Sequence, residues 1–471
     1  MNTDHHAAIK EITKKVASVH LPTSTIINGI TVNDQKEILK HCSSLFFPLD
    51  APTTPSQLPC LERSKSLISQ PLLFSSEPIT SNELKAATSS LKISSAAGPD
   101  GLYAELITKC LPFISTELLA LLNRCIKSCY FPASWRHAKV HIISKQNKSD
   151  YSNLCNFRPI SVVNIFAKIF EKVILGRLKW HAYQHSWFHD NQHGFIPGRS
   201  TETAAHQLTN YIESGFMKNS VTAAAFLDIK AAFDTAWHPA IIVALASKGC
   251  PPYLVKIIHS FLSNRKATLT SNSSEITINI STGCPQGSVL SAFLWITLID
   301  DLLRLIFPFP VLIIAYADDL TIAVTHSDPE IAVARLQSVC NAILNWCESV
   351  KLVINALKTN FMLFSRRRTK STFNPVIEIG DVKVPASSTG LFLGITLDSK
   401  LSWHQHIENK NLSIRRLCFL INRYVRKTWG LSPARIKAIY KALIIPKWLY
   451  CCSVWASATS RSVICRKLRS L

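Results

Sequence analysis

The sequence predicts an α/β fold in which antiparallel strands are backed by helices, and three observations carry that reading. Residues 311–324 hold two apolar runs, with Leu312, Ile314 and Tyr316 alternating before a turn and Leu320, Ile322 and Val324 after it. This period-2 pattern is that of a hairpin with one face on a core. Residues 223–228, Ala-Ala-Ala-Phe-Leu-Asp, form a second short apolar run ending on an acid. Asp328 and Pro329 then open a segment with Val333, Leu336, Val339, Cys340, Ile343, Leu344 and Cys347 at helical spacing, a helix to lie beneath the sheet.

The hairpin tip carries Asp318 and Asp319 side by side. Neighbouring carboxylates repel, and both stay ionised when a cation sits between them; hard oxygen ligands of this kind suit Mg²⁺. An isolated Asp-Asp pair is also an ordinary turn sequence. Asp228, at the end of the second run, makes a third carboxylate available. Three carboxylates on strand ends of one sheet could hold two Mg²⁺ ions roughly 4 Å apart, the arrangement used in phosphoryl transfer, with Mn²⁺ as a substitute.

At 471 residues the chain exceeds the ~250–300 at which single cores usually split. Its formal charge of +22, from 52 Lys and Arg against 30 Asp and Glu, favours a polyanionic partner and salt-sensitive binding, although a merely basic soluble protein would carry it too. The 14 cysteines are scattered, with no paired metal knuckle, and read as reduced core residues. An apolar secretory segment and a membrane-length apolar run are both missing from the sequence given, so an intracellular location, cytoplasmic and nuclear, and no membrane partner are expected.

In chain order, residues 1–80 read as a linker-like extension with Pro48, Pro52, Pro55 and Pro59. Thr80-Ser-Asn-Glu83 fits a capping box opening a helix up to residue 97. Helical stretches at 114–128 and 162–178 flank a strand at 139–143. Residues 192–201 form a glycine-containing loop, and 234–246 and 253–262 are helical. Residues 267–270 and 275–280 alternate like a hairpin, and 289–303 is a packed apolar helix. Beyond residue 400 the chain is helical and basic, with Arg415, Arg416, Arg423, Arg426, Lys427, Arg435, Lys437 and Lys441; Trp403, Trp429 and Trp448 read as core anchors. The run Arg366-Arg-Arg-Thr-Lys370 is a solvated loop, a nucleic-acid contact or an import signal.

Tyr316-Ala-Asp-Asp319 resembles the Tyr-x-Asp-Asp box of reverse transcriptases, and the whole sequence resembles those of non-LTR (LINE-type) retrotransposons of the Jockey/R1 kind. The supporting segments occur in family order from about residue 85 to about 455. They are Ala97-Gly-Pro-Asp-Gly101, Trp135 with Lys145, Phe157-Arg-Pro-Ile-Ser161, Gln192-His-Gly-Phe-Ile-Pro-Gly-Arg-Ser-Thr201 and Phe226-Leu-Asp-Ile-Lys-Ala-Ala-Phe-Asp234. Gly283-Cys-Pro-Gln-Gly-Ser288, Asn355-Ala-Leu-Lys-Thr359 and Phe392-Leu-Gly-Ile-Thr-Leu-Asp398 with Trp403 complete the series.

The resemblance implies a right-hand polymerase: fingers at 81–220, a palm at 221–398 with an antiparallel sheet backed by helices, and a thumb at 399–471. It implies metal ligation by Asp228, Asp318, Asp319 and the Ile229 carbonyl, and Lys358 as a general acid toward pyrophosphate. Lys145 and Arg158 would contact the incoming triphosphate. Phe233 would lie beneath the nucleotide sugar and exclude a 2′-hydroxyl, with a plain core phenylalanine as the alternative. Gln286 would hydrogen-bond near the nucleotide and Gly287 let the backbone approach a base pair. Arg199 and Tyr316 would line the template–primer path, and Leu393 and Gly394 grip the primer end. Asp234 reads as a local cap or partner rather than a ligand.

The function implied is RNA-directed DNA synthesis from dNTPs on an RNA template and a DNA primer or target. A decayed copy that only binds RNA, or an RNA-dependent RNA polymerase, are the alternatives. No nuclease-like motif series precedes the core and the chain stops at Leu471, so a fragment of a longer element product, without its endonuclease, is expected.

Overall fold

The computed structural model describes residues 21–22, 24–27, 30–72, 76–145, 150–271, 274–367, 373–423 and 431–456. Strands β1 (Thr25–Ile27) and β2 (Ile30–Val32) pair as a short hairpin. They are followed by β3 (His137–Ser144), β4 (Phe157–Val163), β5 (Val221–Asp228), β6 (Arg265–Thr270) and β7 (Glu275–Ile280). Next come β8 (Leu312–Tyr316), β9 (Asp319–His326), β10 (Asn360–Phe364) and β11 (Val376–Ile379). The last three are β12 (Val382–Ser387), β13 (Thr389–Phe392) and β14 (Ile395–Asp398).

Six strands build the central sheet in the order β11-β12-β10-β5-β9-β8. From β10 to β8 all neighbours are antiparallel, whereas β10 and β12 run parallel over two residue pairs, so the sheet is mixed toward that edge. Both faces are buried. On β5, Ala223, Ala225 and Leu227 enter one core while Ala224 and Phe226 enter the other. Leu320, Ile322 and Val324 share the first core, but Leu312 and Ile314 face the second. The one-sided hairpin expected from alternation is therefore a two-sided one, which is why its strands are apolar at nearly every position. Helices His238–Ser247, Ser291–Ile299 and Pro329–Ser349 supply the first core; helix Thr201–Met217 and the β13–β14 hairpin supply the second.

A four-stranded sheet, β4-β3-β6-β7, stands apart from it in strand pairing. β6 joins β3 in parallel, so the hairpin expected at 267–280 belongs to this sheet. β4 occupies residues where helix was expected from 162; Pro159 and the alternating burial of Phe157, Pro159, Ser161 and Val163 fit an edge strand, and the helix begins at Ile165. Helix Gln35–Phe46, capped by Asp34, covers this sheet through Ile38, Leu39, Cys42 and Phe46. The linker reading of the first 80 residues thus gives way over 34–70. Helix Leu58–Ser69 packs on helix His238–Ser247, the Lys351 ammonium meets Asp50 at 2.8 Å, and Gln57 Nε2 donates to the Glu348 carbonyl at 2.9 Å. The prolines interrupt helix without preventing the chain from docking.

The expected capping box is formed by Thr80 and Glu83, though its helix ends at Ser89 rather than near residue 97. Asp328 caps helix Pro329–Ser349 as expected. At the C-terminal end, helices His404–Asn422 and Pro433–Ile439 enclose a small core of Ile414, Ile421, Ile439 and Ile444. Trp403 is fully buried and Trp448 packs at the edge of that core. Trp429, Arg426, Lys427 and residues 368–370 lie outside the described residues. The described cysteines are free thiols, and no described helix is long and apolar enough to cross a membrane.

Candidate active site

The three acids meet where the central strands end. Asp228, the last residue of β5, stands directly opposite Asp319, the first of β9, and Asp318 sits in the β8–β9 turn beside them. Partial burial, then repulsion from Asp318 and Asp228, pushes the Asp319 carboxyl up to about 6, against the opposing pull of Lys358. A site that resists carrying its own negative charge is one that a cation would relieve. Lys358 Nζ donates to Asp228 Oδ2 at 3.1 Å, and Asn355 Nδ2 donates to the same oxygen at 3.3 Å. Among the described residues, no three His, Cys, Asp or Glu side chains are gathered into a metal cage. Ile229 bridges Ile354; the flanking bonds run from Lys230 N to the Val353 carbonyl and from Asn355 N to the Asp228 carbonyl, which leaves the Ile229 carbonyl out of that ladder.

The β8–β9 turn is fixed from two sides. Ala317 adopts φ +55°, a left-handed conformation unfavourable for a residue with a Cβ, and its carbonyl accepts a 2.8 Å bond from the indole of the fully buried Trp295. The Gln192 box packs along β8: His193 N donates to the Ala315 carbonyl and Ala315 N to the Asn191 carbonyl. A Cβ on Gly194 would sit 2.3 Å from the Ala317 nitrogen, so only glycine allows that approach. Phe233 is half-buried between Trp295, 5.6 Å away, and Phe195, 6.3 Å away, next to the turn.

Gln286 and Gly287 lie on a turn gripped by distant residues. Ser161 N donates to the Gln286 carbonyl at 2.7 Å, and a Cβ on Gly287, at φ +115°, would meet the Ser161 carbonyl at 2.4 Å. The Gln286 amide nitrogen donates to both Asp234 oxygens, at 3.0 and 2.9 Å. Asp234 is therefore a partner 52 residues away in sequence rather than a local cap. Burial pushes its carboxyl up to about 7, against the pull of Gln286 and Lys145. Glu171, fully buried on helix Ile165–Gln184, accepts from the Ser288 hydroxyl at 2.6 Å and from Val289 N at 2.7 Å; burial raises its pKa. The buried Arg265 donates to the Gly283 carbonyl at 3.1 Å.

The cations expected to meet nucleotide or template differ in their commitments. Arg158 is exposed on β4. Lys145 donates to the Cys155 carbonyl at 2.8 Å and lies close enough to Asp234 to lower its pKa. Arg199 is engaged by its own loop: it donates to the carbonyls of His189 and Gln192 at 2.6 and 2.7 Å and pairs with Asp190 at 3.0 Å. The loop reading of residues 192–201 stands, but its arginine acts as a brace. Tyr316 is half-buried at the end of β8. Leu393 and Gly394, at φ +45° and +81°, form the turn between β13 and β14.

Sequence reasoning missed Trp295, Gly194's packing role, Glu171 and Arg265. Glu171 left one signal, a lone acid on a helix whose neighbouring Phe170, Val173, Ile174 and Leu178 are all buried. The others are ordinary apolar, small or basic residues whose partners are distant in sequence.

Strand-end carboxylates beside a half-buried aromatic and a turn that brings backbone close are the arrangement expected of a nucleotidyl-transferring polymerase. Residues 143–397, more than half the chain, match the family described as reverse transcriptase (RNA-dependent DNA polymerase), and the chain belongs to that family. It is 30% identical over 396 residues to the probable RNA-directed DNA polymerase from transposon BS of Drosophila melanogaster, covering 81% of this chain and 42% of that one. It is 28% identical over 393 residues to the RNA-directed DNA polymerase from mobile element jockey of the same species, with the same coverage. Against the Pol polyprotein from type-1 retrotransposable element R1 of Bradysia coprophila it is 23% identical over 435 residues, 92% of this chain and 42% of that one. These matches agree with the Jockey/R1 kind expected from motif order, and the chain spans about two fifths of these relatives' length.

Proposed function

We propose that this chain carries the RNA-directed DNA polymerase activity of a non-LTR retrotransposon, adding dNTPs to a DNA primer on an RNA template. The observation that carries the reading is the direct pairing of Asp228 with Asp319 across β5 and β9, with Asp318 in the adjoining turn. The hand would divide into fingers over 81–220, a palm over 221–398 and a thumb from 399, with β6 and β7 lent to the fingers sheet. An intracellular location goes with this reading.

The family uses divalent cations, and we assign them to Asp228, Asp318, Asp319 and the Ile229 carbonyl, with Mg²⁺ first and Mn²⁺ as a substitute. The raised pKa of Asp319, from desolvation and then from repulsion by Asp318 and Asp228, goes with that assignment. Bound there, such ions would lower the pKa of the primer hydroxyl and neutralise the triphosphate. The chain's own residues do the rest. Phe233, braced by Trp295 and Phe195, holds a fixed wall against a 2′-hydroxyl. Arg158 offers a planar fork to the triphosphate, and Lys145 a second charge once it leaves the Cys155 carbonyl. Lys358 can give a proton to the departing pyrophosphate. Gln286 and Gly287 bound the base-pair pocket, and Leu393 and Gly394 bear on the primer end.

The test is Mg²⁺-dependent extension of a DNA primer on an RNA template by the purified chain beside its Asp318→Asn/Asp319→Asn variant. Extension by the first and none by the second is expected. Salt-sensitive RNA binding by both with extension by neither would move the function to a binding relic.

A further inference from the structure

Tyr450 follows the short helix Ile445–Leu449 near the C-terminal end of the described chain, and no sequence motif singled it out. Its hydroxyl donates to the Leu393 carbonyl at 2.7 Å. The ring edge lies 3.3 Å from where a Cβ on Gly394 would sit. Burial raises the Tyr450 pKa; Thr201, opening helix Thr201–Met217, lies close enough to pull it down and Tyr316 of β8 close enough to push it up. The Tyr450 backbone is anchored in turn: Lys410 of helix His404–Asn422 donates to its carbonyl at 2.9 Å and also to those of Lys447 and Trp448.

The turn it holds is strained. Leu393 and Gly394 both adopt positive φ, the geometry of a two-residue hairpin loop that favours Asn-Gly or Gly-Gly, and a leucine there is costly. Such conformations persist where surrounding contacts over-determine them. The Tyr450 bond to the carbonyl of the strained residue is such a contact, and it comes from the C-terminal segment, 57 residues further along the chain.

We propose that Tyr450 is a positioning residue that couples the C-terminal helical unit to the Leu393–Gly394 turn and so fixes the primer end relative to the catalytic acids. The inference rests on the polymerase reading for the identity of its ligand. It predicts an effect on primer–template handling and none on nucleotide affinity, because the Phe233 and Gln286 contacts are made by other elements.

The experiment compares wild-type full chain, Tyr450→Phe and Gly394→Ala. Primer–template dissociation constants are measured by fluorescence anisotropy without dNTP, together with KM for dNTP and thermal midpoints. Tyr450→Phe keeps the ring and removes one hydrogen bond, so primer–template binding should weaken about five-fold with KM for dNTP unchanged. Gly394→Ala, which crowds the ring, should act in the same direction. Unchanged primer–template binding by Tyr450→Phe, or a raised KM for dNTP with binding intact, overturns the proposal. A wild type that binds but never extends, with Tyr450→Phe still weakening binding, would sink the polymerase reading and leave this one standing; a wild type that does not bind overturns both.

Discussion

Two turns in this molecule are built on one device and differ in where its latch comes from. At the β8–β9 turn, Ala317 adopts φ +55° and its carbonyl is held by the Trp295 indole; at the β13–β14 turn, Leu393 adopts φ +45° and its carbonyl is held by the Tyr450 hydroxyl. Trp295 is fully buried in the main core, while Tyr450 is 37% exposed in the C-terminal helical unit. A latch from the core makes a turn as rigid as the core, which suits the metal-holding role proposed for its carboxylates. A latch from a half-exposed tyrosine at the rim of the second core, its backbone held by Lys410, makes the turn answer to the C-terminal helices, which suits the primer-end role proposed for it.

The sharpest way to break this contrast is Trp295→Phe. It keeps an aromatic ring but orphans the Ala317 carbonyl and leaves a small void, together costing about 3 kcal/mol of stability. Extension should fall at least about tenfold for each 1.4 kcal/mol lost from turn positioning, while primer–template affinity stays near wild type, the reverse of the Tyr450→Phe pattern. Denaturant unfolding and single-turnover extension read the two arms. Equal loss in both arms would mean that the two latches are not distinct.

Gly194→Ala attacks the same turn from its other side. The added Cβ would overlap the Ala317 backbone nitrogen, and backbone yields poorly, so a cost of about 2 kcal/mol is expected. Gly176, where a Cβ meets nothing within 4 Å, is the control that should tolerate alanine without comparable loss.

The Gly283–Ser288 turn offers a third case, held by carboxyl groups instead of aromatic donors, and so it should respond to pH. Asp234 has a folded pKa of about 7 against an ordinary 3.8. The folded state therefore binds the proton more tightly, and the stability this gives is full below about 4 and lost as pH rises through 7. Asp234→Asn, which can still accept from Gln286, should flatten the fall in thermal midpoint between pH 4 and 7. A variant whose midpoint falls as steeply as wild type would remove Asp234 from the account.

What the sequence revealed follows the same division. The β8–β9 hairpin was legible because its determinants are local: strand alternation, acids at strand ends and the turn lie within residues 311–324, and Asp228 ends a run of the same kind. The latches were not legible because each joins residues far apart, 117 positions in the case of Glu171 and Ser288 and 57 for Tyr450 and Leu393. The parallel pairing of β3 with β6 was hidden for the same reason. β4 was misread because Val162 and Val163 lead straight into an apolar helix, so periodicity alone could not find the boundary at Asn164. Residues 34–70 were misread because prolines signal broken helix and say nothing about docking.

The smallest effect is the most discriminating. Replacing a left-handed residue by glycine relieves about 1–2 kcal/mol of strain and costs about 0.5–1 kcal/mol in unfolded-chain entropy. For Ala317, whose side chain contributes little burial, the balance favours Ala317→Gly by about 0.5 kcal/mol. Leu393 packs against the Phe392, Ile395 and Trp403 core, so Leu393→Gly gives up roughly that gain and more in lost apolar contact. The pair should therefore move stability in opposite directions although both relieve the same strain. Extension should survive Ala317→Gly, because the Trp295 bond still dictates the turn. If Ala317→Gly loses activity while gaining stability, the residue's own restricted backbone, and not the indole latch, is what holds Asp318 and Asp319 in place.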